Sequence, residues 1–348
     1  AEELLACAVV EHTAKELELA VGVAQSVAVR YIEHTIVYLH RLWLGVYGQS
    51  TLFLQVAVGP DVVVAGEEVN LHTHSWYCGH GKGEIPDYVA AAKERGDLKV
   101  LGFSEHCPVP DNRWSSTRMD YSLLPSYVKD VRAARDCESS LGEAGLRILL
   151  GAECDSLKGY FSYYRDELLG ECGFDYLIGA VHFHHDEETG EDLYPNKIPN
   201  YTPYLGEYVK NYTDMLESGI FLLGAHPDLF CYYTPWSADL KAVSQDIIQC
   251  ALENDMPLEM NGLGIRKGII EIGGVKRTRY TIKEFWEMAV DAGVRTCRNS
   301  DAHRPEDVHG WPAHDGYINE CFEFASKVGA SFVSWEIEGE RIRPVVAL

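Results

Sequence analysis

KVLGFSEH (99–106), PSYVKDVRAARD (125–136) and RILLGAE (147–153) follow one another along the chain and read as strand, helix, strand. The outer two runs are almost continuously apolar, which fits strands covered on both faces rather than strands with one wet face. Pro125 opens the middle run, where its fixed φ and missing N–H cost a first helical turn nothing. A helix between two such strands carries the chain back to the starting edge, so the pair is parallel. Each strand also ends in ionisable residues, Glu105 and His106 in one and Glu153 in the other.

The same grammar extends in both directions. VNLHTH (69–74) precedes this unit, and YLIGAVH (176–182), FLLGAH (221–226), LEMNG (258–262) and VRTCRNSDAH (294–303) follow it. Pro86 opens the helical run PDYVAAAKERG, and Thr281-x-x-Glu284 has capping-box spacing ahead of TIKEFWEMAVDAG. Seven strands of one direction separated by helices predict an α/β fold closed into a barrel. SFVSWEIEGERIRPVV (331–346) reads as a terminal hairpin turning at Glu338-Gly339. Residues 1–66 are different in character: 4–44 suggests one or two helices, and His12, His34 and His40 occur singly there. The expected division is a helical extension over 1–66 and a barrel over 67–348.

The formal net charge of -23 disfavours a broad nucleic-acid or anionic-membrane surface, although bound cations can reverse the field locally. The ten cysteines are scattered without a CxxC, so reduced thiols and a cytoplasmic setting are expected. The opening AEELLACAVV lacks the basic flank of a signal peptide. The uncharged stretch 42–60 is broken by Gln49, Ser50, Thr51, Gln55 and glycines, which argues against a membrane span. Nothing in the sequence indicates the number of subunits.

Polar residues cluster where the strands end: His72, His74, Glu105, His106, Glu153, His182, His226, Asp301 and His303. In βα barrels those ends converge on one face, so residues remote in sequence meet in one bowl. His72 and His74 are two apart on a strand and point the same way, able to grip one ion. Imidazole with carboxylate is the donor set of zinc, iron and manganese hydrolytic centres. Taken singly, each has a plainer reading: an HxH in an exposed strand, a turn at His226-Pro227-Asp228, a helix cap at the SDAH stretch. Six of the fourteen histidines fall in the set, however, and burying so many imidazoles and carboxylates without a cation would be costly.

The ordered set HTHSWYCGHG (72–81), FSEH (103–106), GAEC (151–154), GAVHFH (179–184), GAHPD (224–228), EMNGLGIRKG (259–268) and NSDAHRPEDV (299–308) resembles the polymerase-and-histidinol-phosphatase (PHP) superfamily, especially its monofunctional histidinol-phosphate phosphatase branch. The resemblance covers about 69–310. It implies a distorted (β/α)7 barrel and two to three divalent metal ions (zinc, iron or manganese). On that pattern His72, His74, Glu153 and Asp301 hold the first metal. Glu153 bridges to a second held by His182 and His226, and His80, His106 and His303 hold a third. It further implies hydrolysis of a small phosphorylated metabolite, with L-histidinol phosphate in histidine biosynthesis as the best expectation. The alternatives are a phosphoesterase acting on a nucleotide or other small ester, and a metal-binding module without catalysis.

The substrate side is less fixed by the motifs. Arg266 and Lys267 are the first candidates to clamp phosphate, because LEMNG supplies no evident metal ligand and its loop is free to serve the substrate. A guanidinium also offers two parallel hydrogen bonds to a phosphate. Arg304 and Arg113 follow as further candidates. His184, His185 or Asp228 could protonate the leaving alcohol or orient a ligand, and Asp155 is expected to play a supporting part.

Overall fold

The structure, a computed structural model, describes residues 62–186, 189–309, 311–313, 316–318 and 320–345. The expected N-terminal helices, the stretch 42–60 and the single histidines at 12, 34 and 40 lie outside them. No helix among the described residues is long and apolar enough to cross a membrane.

All seven expected strands form one parallel sheet in chain order: β1 (Val69–Asn70), β2 (Val100–His106), β3 (Arg147–Asp155), β4 (Tyr176–Ala180), β5 (Leu223–Gly224), β6 (Leu258–Asn261) and β7 (Thr296–Asn299). Helices α1 (Ile85–Arg95), α2 (Leu124–Ser139), α3 (Leu205–Glu217), α4 (Ala238–Glu253), α5 (Lys283–Ala292) and α6 (Glu320–Val328) intervene or follow, and a π-helical segment, Tyr164–Glu171, stands after β3. Pro86 and Pro125 sit in the first turns of α1 and α2, as their sequences predict. The fold is a (β/α)7 barrel.

Between β7 and β1 the barrel is closed by fewer backbone bonds, which distorts it. A single bridge joins Thr73 to Ala302, with His74 N donating to Ala302 O at 2.7 Å. Side chains complete the seam: Asn299 Oδ1 accepts from Leu71 N at 2.6 Å, and Asn70 accepts from Ser300 N at 3.1 Å while donating to Ser300 Oγ at 2.7 Å. Fully buried backbone groups are thereby satisfied where the ladder runs out.

Strand alternation divides the apolar residues into two cores. Leu101, Phe103, Ile148, Leu150 and Ala152 face outward to the helices. Val100, Leu149, Tyr176, Ile178 and Leu223 face inward, where Trp335 and Ile337 plug the bottom of the barrel. Tyr176 crosses the interior to donate to Leu71 O at 2.6 Å. Its hydroxyl and ring pass so close to β2 and β3 that a Cβ on Gly102 would lie 2.2 Å from the hydroxyl and one on Gly151 2.4 Å from the ring, so neither position tolerates a side chain. Above this plug the inward positions turn polar.

Two expectations change. Val62–Val64 pairs antiparallel with Ser334–Glu338, which pairs in turn with Arg341–Val345 as the terminal hairpin. Residues assigned to the extension thus belong to the closing sheet. Thr281 and Glu284 do not form a capping box: Thr281 has φ +58°, its hydroxyl donates to Asn261 O at 2.8 Å, and Ile282 occupies the N-cap. The carboxylate of Asp228 takes the hydrogen bond instead, from Ile282 N at 2.7 Å.

Candidate metal centre

The inward positions at the upper ends of the strands build the site directly. In β3 the inward series continues Leu149, Gly151, Glu153, Asp155, and in β2 it ends at His106. Glu105 has the opposite parity and leaves the bowl, accepting from Ser75 N and Ser75 Oγ at 2.6 Å each; burial still pushes its carboxyl up to about 7.

Glu153 stands at the centre. Oε2 lies 3.4 Å from His72 Nε2 and 3.5 Å from His74 Nε2, and Asp301 Oδ1 lies 3.7 and 3.3 Å from the same two nitrogens. All four atoms are buried without a hydrogen-bond partner. Oε1 faces the other way, 3.2 Å from His182 Nε2 and 2.8 Å from His226 Nε2. His80 Nε2 and His303 Nε2 are 3.0 Å apart, and the His80 and His106 rings stack at 5.1 Å. The donor atoms of His72, His74 and Asp301, of Glu153, His182 and His226, and of His80, His106 and His303 form three compact groups, each within 4.8 Å. Orphaned, convergent, buried nitrogen and carboxylate atoms are what a cluster of divalent cations requires.

Carboxylates stand behind the imidazoles. Glu259 Oε1 meets His72 Nδ1 at 2.7 Å, and Asp155 Oδ1 meets His182 Nδ1 at 2.9 Å. Asp155 is held by Arg118, whose Nε and Nη2 donate to Oδ2 at 3.1 and 2.8 Å. Burial opposes ionisation of Asp155, but Arg118 and His182 outweigh it and hold its carboxyl low. Neither Arg118 nor Glu259 is singled out by the motifs. Arg118 lies in an unpatterned loop, and Glu259 looks like an ordinary strand residue until its inward parity is counted.

A cavity of about 920 Å³ opens over the cluster. Lys82, Lys197, Lys267 and Arg304 line it, and none of them forms a salt bridge among the described residues. The Lys267 ammonium stands 5.8, 5.3 and 5.2 Å from the rings of Tyr194, Tyr232 and Tyr280, and burial lowers its pKa to about 8.

The other substrate-side candidates are placed differently from expectation. Arg266 borders the cavity with its donors engaged: it pairs with Glu320 and donates to Ser300 O at 2.6 Å and Asp301 O at 3.3 Å. It braces Asp301, whose φ is +49°. His184 turns from the bowl, stacking on Tyr204 at 3.9 Å and pairing with Glu207. His185 bonds Asp192 at 2.8 Å. Asp228 is fully buried against the start of α5, and burial raises its carboxyl to about 6. Arg113 reaches Asp192 at 3.4 Å beside Trp114 rather than the cluster.

The sequence profile of the PHP domain matches residues 70–262. A probable histidinol-phosphatase of Deinococcus radiodurans is 28% identical over 68% of this chain and 86% of its own length. One from Schizosaccharomyces pombe is 24% identical, covering 73% and 86%. Among solved structures, a putative histidinol phosphatase from Listeria monocytogenes superposes with a TM-score of 0.57 at 20% identity, over 69% of this chain and 97% of its own. The histidinol phosphate phosphatase of Lactococcus lactis, solved with zinc, L-histidinol and phosphate, gives 0.55 at 16% identity, over 79% and 98%. These two likenesses are of fold. With the profile spanning more than half of its length, the chain belongs to the PHP domain family.

Proposed function

We propose that this protein is a metal-dependent phosphomonoesterase whose substrate is L-histidinol phosphate. The observation that carries the reading is a pairing: three compact donor groups gathered around Glu153 at the floor, and four cations without a salt-bridge partner among the described residues on the walls above, in a chain of net charge -23. The relatives named as histidinol phosphatases supply the choice of ester.

On this reading His72, His74, Glu153 and Asp301 hold one ion, Glu153, His182 and His226 a second, and His80, His106 and His303 a third. Bound divalent ions would supply Lewis acidity to water and to the phosphoryl oxygens. The chain's own residues do the remainder. Lys267 presents an ammonium to the phosphate from its tyrosine cage, and Arg304 adds a second positive group at the mouth. Arg266 acts behind Asp301, keeping its carboxylate turned to the floor. Tyr176 and the terminal hairpin seal the barrel below and exclude water from that side.

The test is phosphate release from a panel of metabolite phosphomonoesters, with protein loaded separately with zinc, manganese and iron. Histidinol phosphate is expected to give the highest kcat/KM. Loaded protein that releases phosphate from no ester would overturn the phosphatase reading. A nucleotide or sugar phosphate preferred by tenfold or more would overturn the substrate.

A further inference from the structure

Strand β6 contributes no donor to the cluster, yet its inward side chain, Glu259, is fully buried directly behind it. Four groups surround this carboxylate. Oε1 meets His72 Nδ1 at 2.7 Å and Asn299 Nδ2 at 2.9 Å; Oε2 meets Asn261 Nδ2 at 2.8 Å and His226 N at 3.2 Å.

Three of the four are donors that cannot change role. His226 N is a backbone amide. Asn261 has its oxygen committed to Gly264 N at 3.0 Å, and Asn299 has its oxygen committed to Leu71 N at 2.6 Å, so both amides present NH2 to Glu259. Only the imidazole of His72 can be donor or acceptor at this position, and a carboxylate makes it a donor. With hydrogen on Nδ1, the lone pair lies on Nε2, the atom that faces Glu153 and Asp301.

We infer that Glu259 is a positioning residue that fixes the proton of His72 on Nδ1 and so opens Nε2 to a metal ion, while tying the same strand to the backbone that carries His226. The inference rests on the metal-site reading above. It has a consequence that a packing role does not share: glutamine is not a conservative replacement here. A Gln amide turned toward Oε2 would face two fixed donors. Turned toward Oε1 it faces one fixed donor and His72, which can yield by accepting at Nδ1. That moves its proton to Nε2 and closes the nitrogen to metal.

The experiment compares the wild type, Glu259→Gln and His72→Gln, each stripped by chelator and reloaded with zinc or cobalt. Metal equivalents, the cobalt d–d spectrum and the melting temperature of the metal-free proteins are measured. Glu259→Gln should bind its weakest-held floor ion about 10- to 100-fold less tightly, as for loss of other carboxylates behind metal-bound histidines. It should share the altered cobalt spectrum of His72→Gln. A separate arm reads the wild type directly and does not depend on Glu259→Gln folding: 15N-histidine NMR of the zinc-loaded wild type, with His72 assigned by its loss in His72→Gln, should show hydrogen on Nδ1 and zinc on Nε2. Glu259→Gln with wild-type metal affinity and cobalt spectrum overturns the inference, and so does zinc on Nδ1 of His72. Absence of metal from the wild type would instead defeat the underlying site reading.

Discussion

His72 and His182, on the floor of the bowl, each rest Nδ1 on a buried carboxylate, Glu259 and Asp155. His80, at the rim, rests its Nδ1 on the backbone carbonyl of Cys78 at 3.1 Å, and His303 on that of Asp301 at 3.2 Å, with the Asp301 carboxylate farther off at 3.4 Å. The same ligand type is therefore supported in two ways within one site. A carboxylate behind an imidazole fixes its tautomer and raises its basicity; a carbonyl does the first with less of the second. Burial, with the neighbouring His74 and Arg118, lowers the His80 pKa to about 4, whereas at His182 burial is outweighed by Glu153 and Asp155, and the value rises to about 9. Floor ions should be held tightly, and a rim ion should exchange.

The comparison breaks most readily at Glu153, whose two oxygens face the two floor groups. Glu153→Ala should release about two metal equivalents and lower phosphatase kcat/KM by roughly 10³-fold or more, read by elemental analysis and steady-state kinetics. Asp155→Asn and Arg118→Ala come next. Each should weaken one floor ion by about 10- to 100-fold while the rim ion is unchanged, as measured by competition with a chromophoric chelator. His80→Ala should remove only the rim equivalent, with a loss of activity smaller than that of Glu153→Ala.

Arg266 and Lys267 are adjacent but should fail differently. Arg266→Ala frees the carbonyls of Ser300 and Asp301 and should reduce metal retention, with activity falling as a result. Lys267→Met should leave the metal content intact and raise KM for phosphate esters, with a kcat/KM loss on the order of tenfold. Arg113→Ala should change either quantity less than about twofold, since its contacts lie with Asp192 and Trp114.

The fold was legible because strands covered on both faces leave unbroken apolar runs, and all seven were recoverable from such runs. The cluster of imidazoles and carboxylates at the strand ends was legible for a related reason: so many ionisable groups at the ends of buried strands are costly unless they converge on one site, Glu105 being the exception that bonds Ser75 instead. What stayed hidden depends on contacts far apart in sequence. Glu259 gains meaning only when its parity and the opposed amides of Asn261 and Asn299 are known. Arg118 is marked by Asp155, 37 residues away. The phosphate clamp was assigned to Arg266 by position in a loop, whereas its guanidinium is consumed by Glu320 and two carbonyls. At Thr281 the local capping pattern lost to a tertiary one, the carboxylate of Asp228.

The most direct test of the account is a metal titration of chelator-stripped protein, with zinc binding followed against a competing indicator and total metal fixed by elemental analysis. Two equivalents should bind tightly and a third at least about tenfold more weakly, with the third alone lost in His80→Ala. Fewer than one equivalent, or three of equal affinity, would contradict it.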